Sequence, residues 1–149
     1  MAFPPLPPLP PTPSRVDDVA QVAKFLKWQA LATLAWATYC TAAAGLMAYV
    51  IVLGGGGSDG PIGLVLYTVF GVGSWAGGIL QLVASGRMRA FQSRNLCFVA
   101  LWSNVASFFC GGAVCCLPTG IALVVYGMTV LMDPSVVAAF ERAKATPPA

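Results

Sequence analysis

Three long stretches of this chain carry no charged side chain: Trp28–Ser58, Gly60–Gly86 and Asn95–Met132. A helix crosses a bilayer with about 20 consecutive apolar residues, because its backbone then satisfies its own hydrogen bonds in hydrocarbon. The three runs together supply four such segments. Only 9% of the residues are charged and 58% are hydrophobic, whereas soluble domains carry about 25% charge. The alternation of a membrane β-barrel is absent. The expectation is an all-α integral membrane protein, with four transmembrane helices arranged as two hairpins.

The polar bridge Gly86–Asn95 divides those hairpins, and its arginines Arg87, Arg89 and Arg94 set the topology. The eight basic residues are Arg15, Lys24, Lys27, the three bridge arginines, Arg142 and Lys144. All lie in the N-terminal segment, the bridge or the C-terminal tail. Short loops rich in Lys and Arg stay cytoplasmic, so both termini and the bridge are expected inside. The net charge of +3 is thereby explained without a nucleic-acid partner.

The chain divides in order. Residues 1–13 hold seven prolines, a composition that favours an extended polyproline II arm. Within it Phe3, Pro4, Pro5, Leu6 and Pro7 have the shape that aromatic-lined polyproline receptors bind. The alternative is a solvated spacer. Residues 14–27 form a short amphipathic juxtamembrane helix, with Ser14 as cap and Asp17 at the capping-box position. Its apolar face is Val16, Val19, Val22, Ala23 and Leu26, and it enters the membrane or lies on its surface. The spans are placed at about 28–53, 62–85, 95–113 and 118–132. As one helix, Asn95–Met132 would reach about 57 Å, nearly twice the hydrocarbon thickness. It must therefore turn, near Gly111–Gly120, with Pro118 at the start of the last span. Residues 133–149 form a cytoplasmic amphipathic tail, capped by Asp133-Pro134, with Val136, Val137 and Phe140 on one side.

Small residues mark the expected packing faces: Gly73 and Gly77 as a GxxxG pair, and Ser103, Ser107 and Gly111 as a stripe. The intramembrane polar set is Gln29, Thr33, Thr38, Thr41, Thr68, Ser74, Gln81, Ser103, Asn104, Ser107 and Thr129. Asn104, near the middle of the third span, stands out because an amide there needs a partner. The five cysteines (Cys40, Cys97, Cys110, Cys115 and Cys116) have no zinc-like spacing, and the chain has no histidine. They are read as small apolar packing residues, with no metal and no cofactor expected.

The second half carries Arg87-Met-Arg89, Cys115-Cys-Leu-Pro-Thr-Gly-Ile121 and Asp133-Pro-Ser-Val-Val-Ala-Ala-Phe140. In these it resembles a broad set of uncharacterised small bacterial tetraspan membrane proteins, which implies membrane residence in a bacterial inner membrane and nothing catalytic. The Cys115–Ile121 run is also similar to the dispanin (CD225) segment, a family associated with membrane curvature and fusion. Its paired cysteines are associated there with acylation.

None of the five carboxylates lies within a span, so general acid–base chemistry has no group in the bilayer. The expectation is no enzyme. It is a non-enzymatic accessory or scaffold subunit whose arm and tail bind a cytoplasmic protein or the membrane surface. Alternatives are a small-solute channel or carrier subunit, as a homo- or hetero-oligomer, and a membrane-shaping protein.

Overall fold

The computed structural model describes residues 15–54, 57, 59–109 and 117–145, excepting the side chains of 107–109 and 117–118. The described residues form five helices: α1 (Val16–Val52), α2 (Gly60–Arg89), α3 (Arg94–Phe109), α4 (Leu117–Leu131) and α5 (Pro134–Ala145). The proline-rich arm with its candidate residues Phe3–Pro7, the proposed cap Ser14, Gly111, Cys110, Cys115 and Cys116 lie outside the described residues.

Local chemistry accounts for the helix ends. Asp17 and Asp18 occupy the first turn of α1, where the positive end of the helix favours carboxylates. The helix stops at Gly54, whose φ of +76° is reached without the Cβ clash that other residues meet. Pro61 stands in the first turn of α2, while Arg87 and Arg89 occupy its last turn. At the start of α5, Asp133 accepts from the Ser135 backbone N–H at 2.9 Å and from its hydroxyl at 2.6 Å. The cap expected at Asp133-Pro134 is thus in place.

α1 and α2 pack as a long antiparallel pair. The buried positions of α1 are Val19, Val22, Ala23, Leu26, Ala30, Thr33, Ala37 and Cys40. Their three-and-four spacing is that of a coiled-coil seam. The facing set on α2 is Gly71, Ser74, Gly77, Gly78, Gln81, Ala84, Ser85 and Met88. This corrects half of the expected glycine pair: Gly73 is exposed, whereas Gly77 is buried on the seam, and the tight approaches of α2 to α1 are at Gly63 and Gly78. A Cβ at Gly78 would stand 2.7 Å from Leu34 Cγ and 3.4 Å from the Ala30 carbonyl oxygen. Trp75 Nε1 donates to Thr41 Oγ1 across the pair at 3.2 Å.

All five helices meet at the charged end. Val19, Val22, Ala23 and Leu26 of α1 join Ala84 and Met88 of α2, Cys97, Ala100 and Leu101 of α3, four residues of α4, and Val136 and Phe140 of α5. Two expectations are revised here. No break separates residues 14–27 from the first span, because α1 is continuous through Lys27–Trp28. Val19, Val22, Ala23 and Leu26 of its amphipathic face are at most 1% exposed and Val16 is partly buried against them, so protein covers that face and a lipid surface does not. The tail helix likewise buries Val136 and Phe140 in the bundle.

α1 and α2 are long and apolar enough to cross a membrane. Thr119–Leu131 with Pro134–Ala145, bent by 69° at Asp133, would make a third span by length and composition. α3, at 16 residues, extends about 24 Å against a hydrocarbon core of about 30 Å. The all-helical, membrane-compatible architecture therefore stands, with two to three candidate spans among the described residues.

Candidate functional site at the charged end

The α2–α3 turn is the most unusual stretch of backbone. Gln92 N–H donates to the Arg87 carbonyl at 2.8 Å and Phe91 N–H to the Met88 carbonyl at 3.1 Å, which is a Schellman closure. Glycine usually fills the left-handed position of that motif, yet here it is Phe91 with φ 50°. Ser93 follows at φ 52° and its carbonyl accepts from Leu96 N–H at 2.9 Å, opening α3. The Phe91 ring meets Phe140 edge-on, with centroids 5.3 Å apart. The bridge and the tail helix are thereby joined.

Between them lies a groove of about 400 Å³, lined by Gln92, Ser93, Arg94, Asn95, Glu141 and Lys144 among others. The Arg94 guanidinium sits 5.3 Å from the Phe98 ring centroid, a cation–π contact that orients it. Across the end, Arg15 pairs with Asp133 at 3.9 Å, and Tyr126 of α4 lies close to Asp18 of α1. The Ser135 hydroxyl and N–H, with the nearby Arg15 guanidinium, hold the Asp133 carboxyl below its usual range. These contacts bring all three basic segments to one end of the bundle, where Arg89 shares grooves with α1 and Arg94 shares one with α5.

On the seam of α1 and α2 a second groove, of about 220 Å³, is lined by Lys27, Leu82, Ser85, Gly86 and Arg89. A third, lined in part by Asp17, Lys24 and Arg89, adjoins it. Sequence reasoning treated these cations only as topology signals. Their convergence follows from the antiparallel register of two helices, which no local motif encodes.

The intramembrane polar set splits by position. Thr38 and Thr68 are exposed and return their hydroxyls to the carbonyls four residues earlier, at 2.9 and 2.7 Å. Thr129 does so three residues back, as does Ser103, which is off the core face of α3. That face is Cys97, Ala100, Leu101 and Asn104. Gln81 and Asn104 are both 0% exposed, and neither amide has a hydrogen-bond partner. Asn104 was singled out for needing a partner, and Gln81 was named only as one of the set. Ser74 is buried on the same seam of α2.

Cys40 and Cys97 are free and buried. Among the described residues, no cluster of three or more Cys, Asp or Glu side chains could hold a metal ion. Comparison with known proteins gives no match to a family model, to a curated protein or to a solved structure.

Proposed function

We propose that this chain is a non-enzymatic integral membrane protein, an accessory or scaffold subunit that works through its charged end. The observation that supports this reading is the segregation of charge. The N-terminal turns of α1, the arginine bridge and α5 gather around one end of two long apolar helices. Outward from that end project Glu141, Arg142 and Lys144, all exposed. In this reading the chain crosses four times, with both termini and the bridge cytoplasmic by the basic-residue rule. The resemblance of its second half points to a bacterial inner membrane. The proline-rich sequence of residues 1–13 adds a ligand for a cytoplasmic partner.

Crosslinking pull-downs from native membranes test it, comparing the full chain with one lacking residues 1–13 and with Glu141→Ala/Arg142→Ala/Lys144→Ala. These exposed tail positions are preferred to deletion of the tail, because Val136 and Phe140 belong to the core. Specific partners lost in either variant are the expected result. A partner set unchanged in both would overturn the scaffold reading.

A second reading, a small-solute channel or carrier subunit, is favoured by one observation: the unpartnered, fully buried amides of Gln81 and Asn104. Polar groups sealed in a membrane bundle cost several kcal/mol each unless something pairs with them. Solute flux in proteoliposomes that disappears in Asn104→Leu would move the reading there.

A further inference from the structure

We infer that the groove between α1 and α2 at the charged end binds the phosphate headgroup of an anionic phospholipid, with Lys27 and Arg89 as its two cationic arms. The inference rests on the membrane reading above and deepens it. Lys27 comes from α1 and Arg89 from the last turn of α2, and both line the same cavity of about 220 Å³. The Arg15–Asp133 ion pair involves neither of them, and no carboxylate lines the cavity they share, so two like charges face one space. An anion between them removes that repulsion and forms charge-assisted hydrogen bonds to both.

Three features select a lipid over a soluble anion. The cavity is smaller than a typical small-molecule pocket, and Leu82, the one large apolar residue of its lining, comes from the turn of α2 nearest the apolar run. Beyond Leu82 the same helix exposes Val83 at 45% and Ile79 at 52%, an apolar wall on which acyl chains can lie. Trp28, 65% exposed, faces the α4 side of α1 rather than this groove, but it stands at the level of Lys27 and is a residue type that concentrates where headgroups meet hydrocarbon. A phosphate with two tails matches this sequence of surfaces from end to end. The floor is open as well: a Cβ built at Gly86 meets nothing within 4 Å, so a side chain added there enters the groove without disturbing the helix pair. The neighbouring groove that Arg89 shares with Lys24 also holds Asp17, so the positive field is strongest on the Lys27 side of Arg89.

Native mass spectrometry of the full chain in detergent reads this directly, with phosphatidylglycerol, phosphatidylcholine or inorganic phosphate added. Phosphatidylglycerol is expected to be retained about tenfold more than phosphatidylcholine, since each basic group near an anionic headgroup favours binding. Gly86→Glu, which fills the groove with a carboxylate, and Lys27→Gln/Arg89→Gln should each abolish that preference. Arg142→Gln/Lys144→Gln on α5 should keep it, and millimolar inorganic phosphate should not compete. Retention unchanged in Lys27→Gln/Arg89→Gln overturns the site. So does an equal loss in the α5 variant, which would mean diffuse surface charge, or competition by inorganic phosphate, which would mean a soluble-anion site. Carbonate extraction of the same membranes separates the two failures. A protein that stays in the pellet yet shows no lipid preference loses only this site, whereas a protein that is extracted loses the membrane reading itself.

Discussion

Phe91 occupies a backbone region that costs a side-chain-bearing residue about 1–2 kcal/mol relative to glycine. What holds it there is its ring, packed edge-on against Phe140, which is itself only 4% exposed. Such pairs contribute about 0.5–1.5 kcal/mol beyond their buried area. Phe91→Ala removes the ring and keeps the strain, while Phe91→Gly removes both. The glycine variant should therefore be the more stable by about 1 kcal/mol, read from thermal unfolding in detergent by circular dichroism. The reverse order would mean that the turn is not held left-handed at residue 91. Nothing in the bridge sequence announces this conformation, since glycine or asparagine is the usual sign and Phe-Gln-Ser carries neither. The Asp133-Pro134-Ser135 cap was legible for the opposite reason: a carboxylate, a missing donor and a hydroxyl in adjacent positions satisfy one another locally. Gln81 falls between, since its polarity was plain and its burial depends on what α1 and α3 place around it.

The glycines of α2 show how a helix face is chosen. Gly73 and Gly77 share a spacing that permits close packing, but only Gly77 belongs to the stripe that meets α1, with Gly71, Ser74 and Gly78. The motif names a capability, and the register of the pair decides which stripe uses it. Gly78→Ala would drive a methyl into Leu34 and should destabilise the pair by about 1–3 kcal/mol. Gly73→Ala, on the exposed side, should be neutral or stabilising by up to about 1 kcal/mol through helix propensity. Urea or SDS titration of the two purified variants checks the contrast, and equal behaviour would reject the stated seam. The continuity of α1 through Lys27–Trp28 was hidden in a similar way. Charge there reads as an interface and a stop, yet one face of residues 16–27 is apolar at helical spacing, and α2 to α5 supply the protein that covers it. The same five-helix core claims Val136 and Phe140, so both amphipathic ends are bundle walls.

The bundle is uneven along its length. On α1 no residue beyond Cys40 is buried, and on α2 none before Gly71, so among the described residues the far half of this hairpin is covered only where its two helices touch each other, as at Gly63 and Met47. Hydropathy made the first two spans legible, because length and composition alone identify them. It could not tell a full crossing from a shallow one for the second hairpin, whose helices α3 and α4 have 16 and 15 residues. Thiol chemistry can. Cys40 and Cys97 are buried and should stay silent toward an impermeant maleimide, leaving Cys110, Cys115 and Cys116 to report. After mild reduction, four crossings predict labelling of intact cells from outside, whereas labelling only after permeabilisation would make α3 and α4 a re-entrant hairpin. The difference in height has a mechanical meaning for the lipid around it. In the membrane reading, helices of about 45–55 Å stand beside helices of about 22–24 Å, against a hydrocarbon core about 30 Å thick. A leaflet in contact with both would stretch along one side and be squeezed along the other. That elastic stress would act like a small wedge. It is relieved when two low flanks meet, or when the sheet bends to follow the slope.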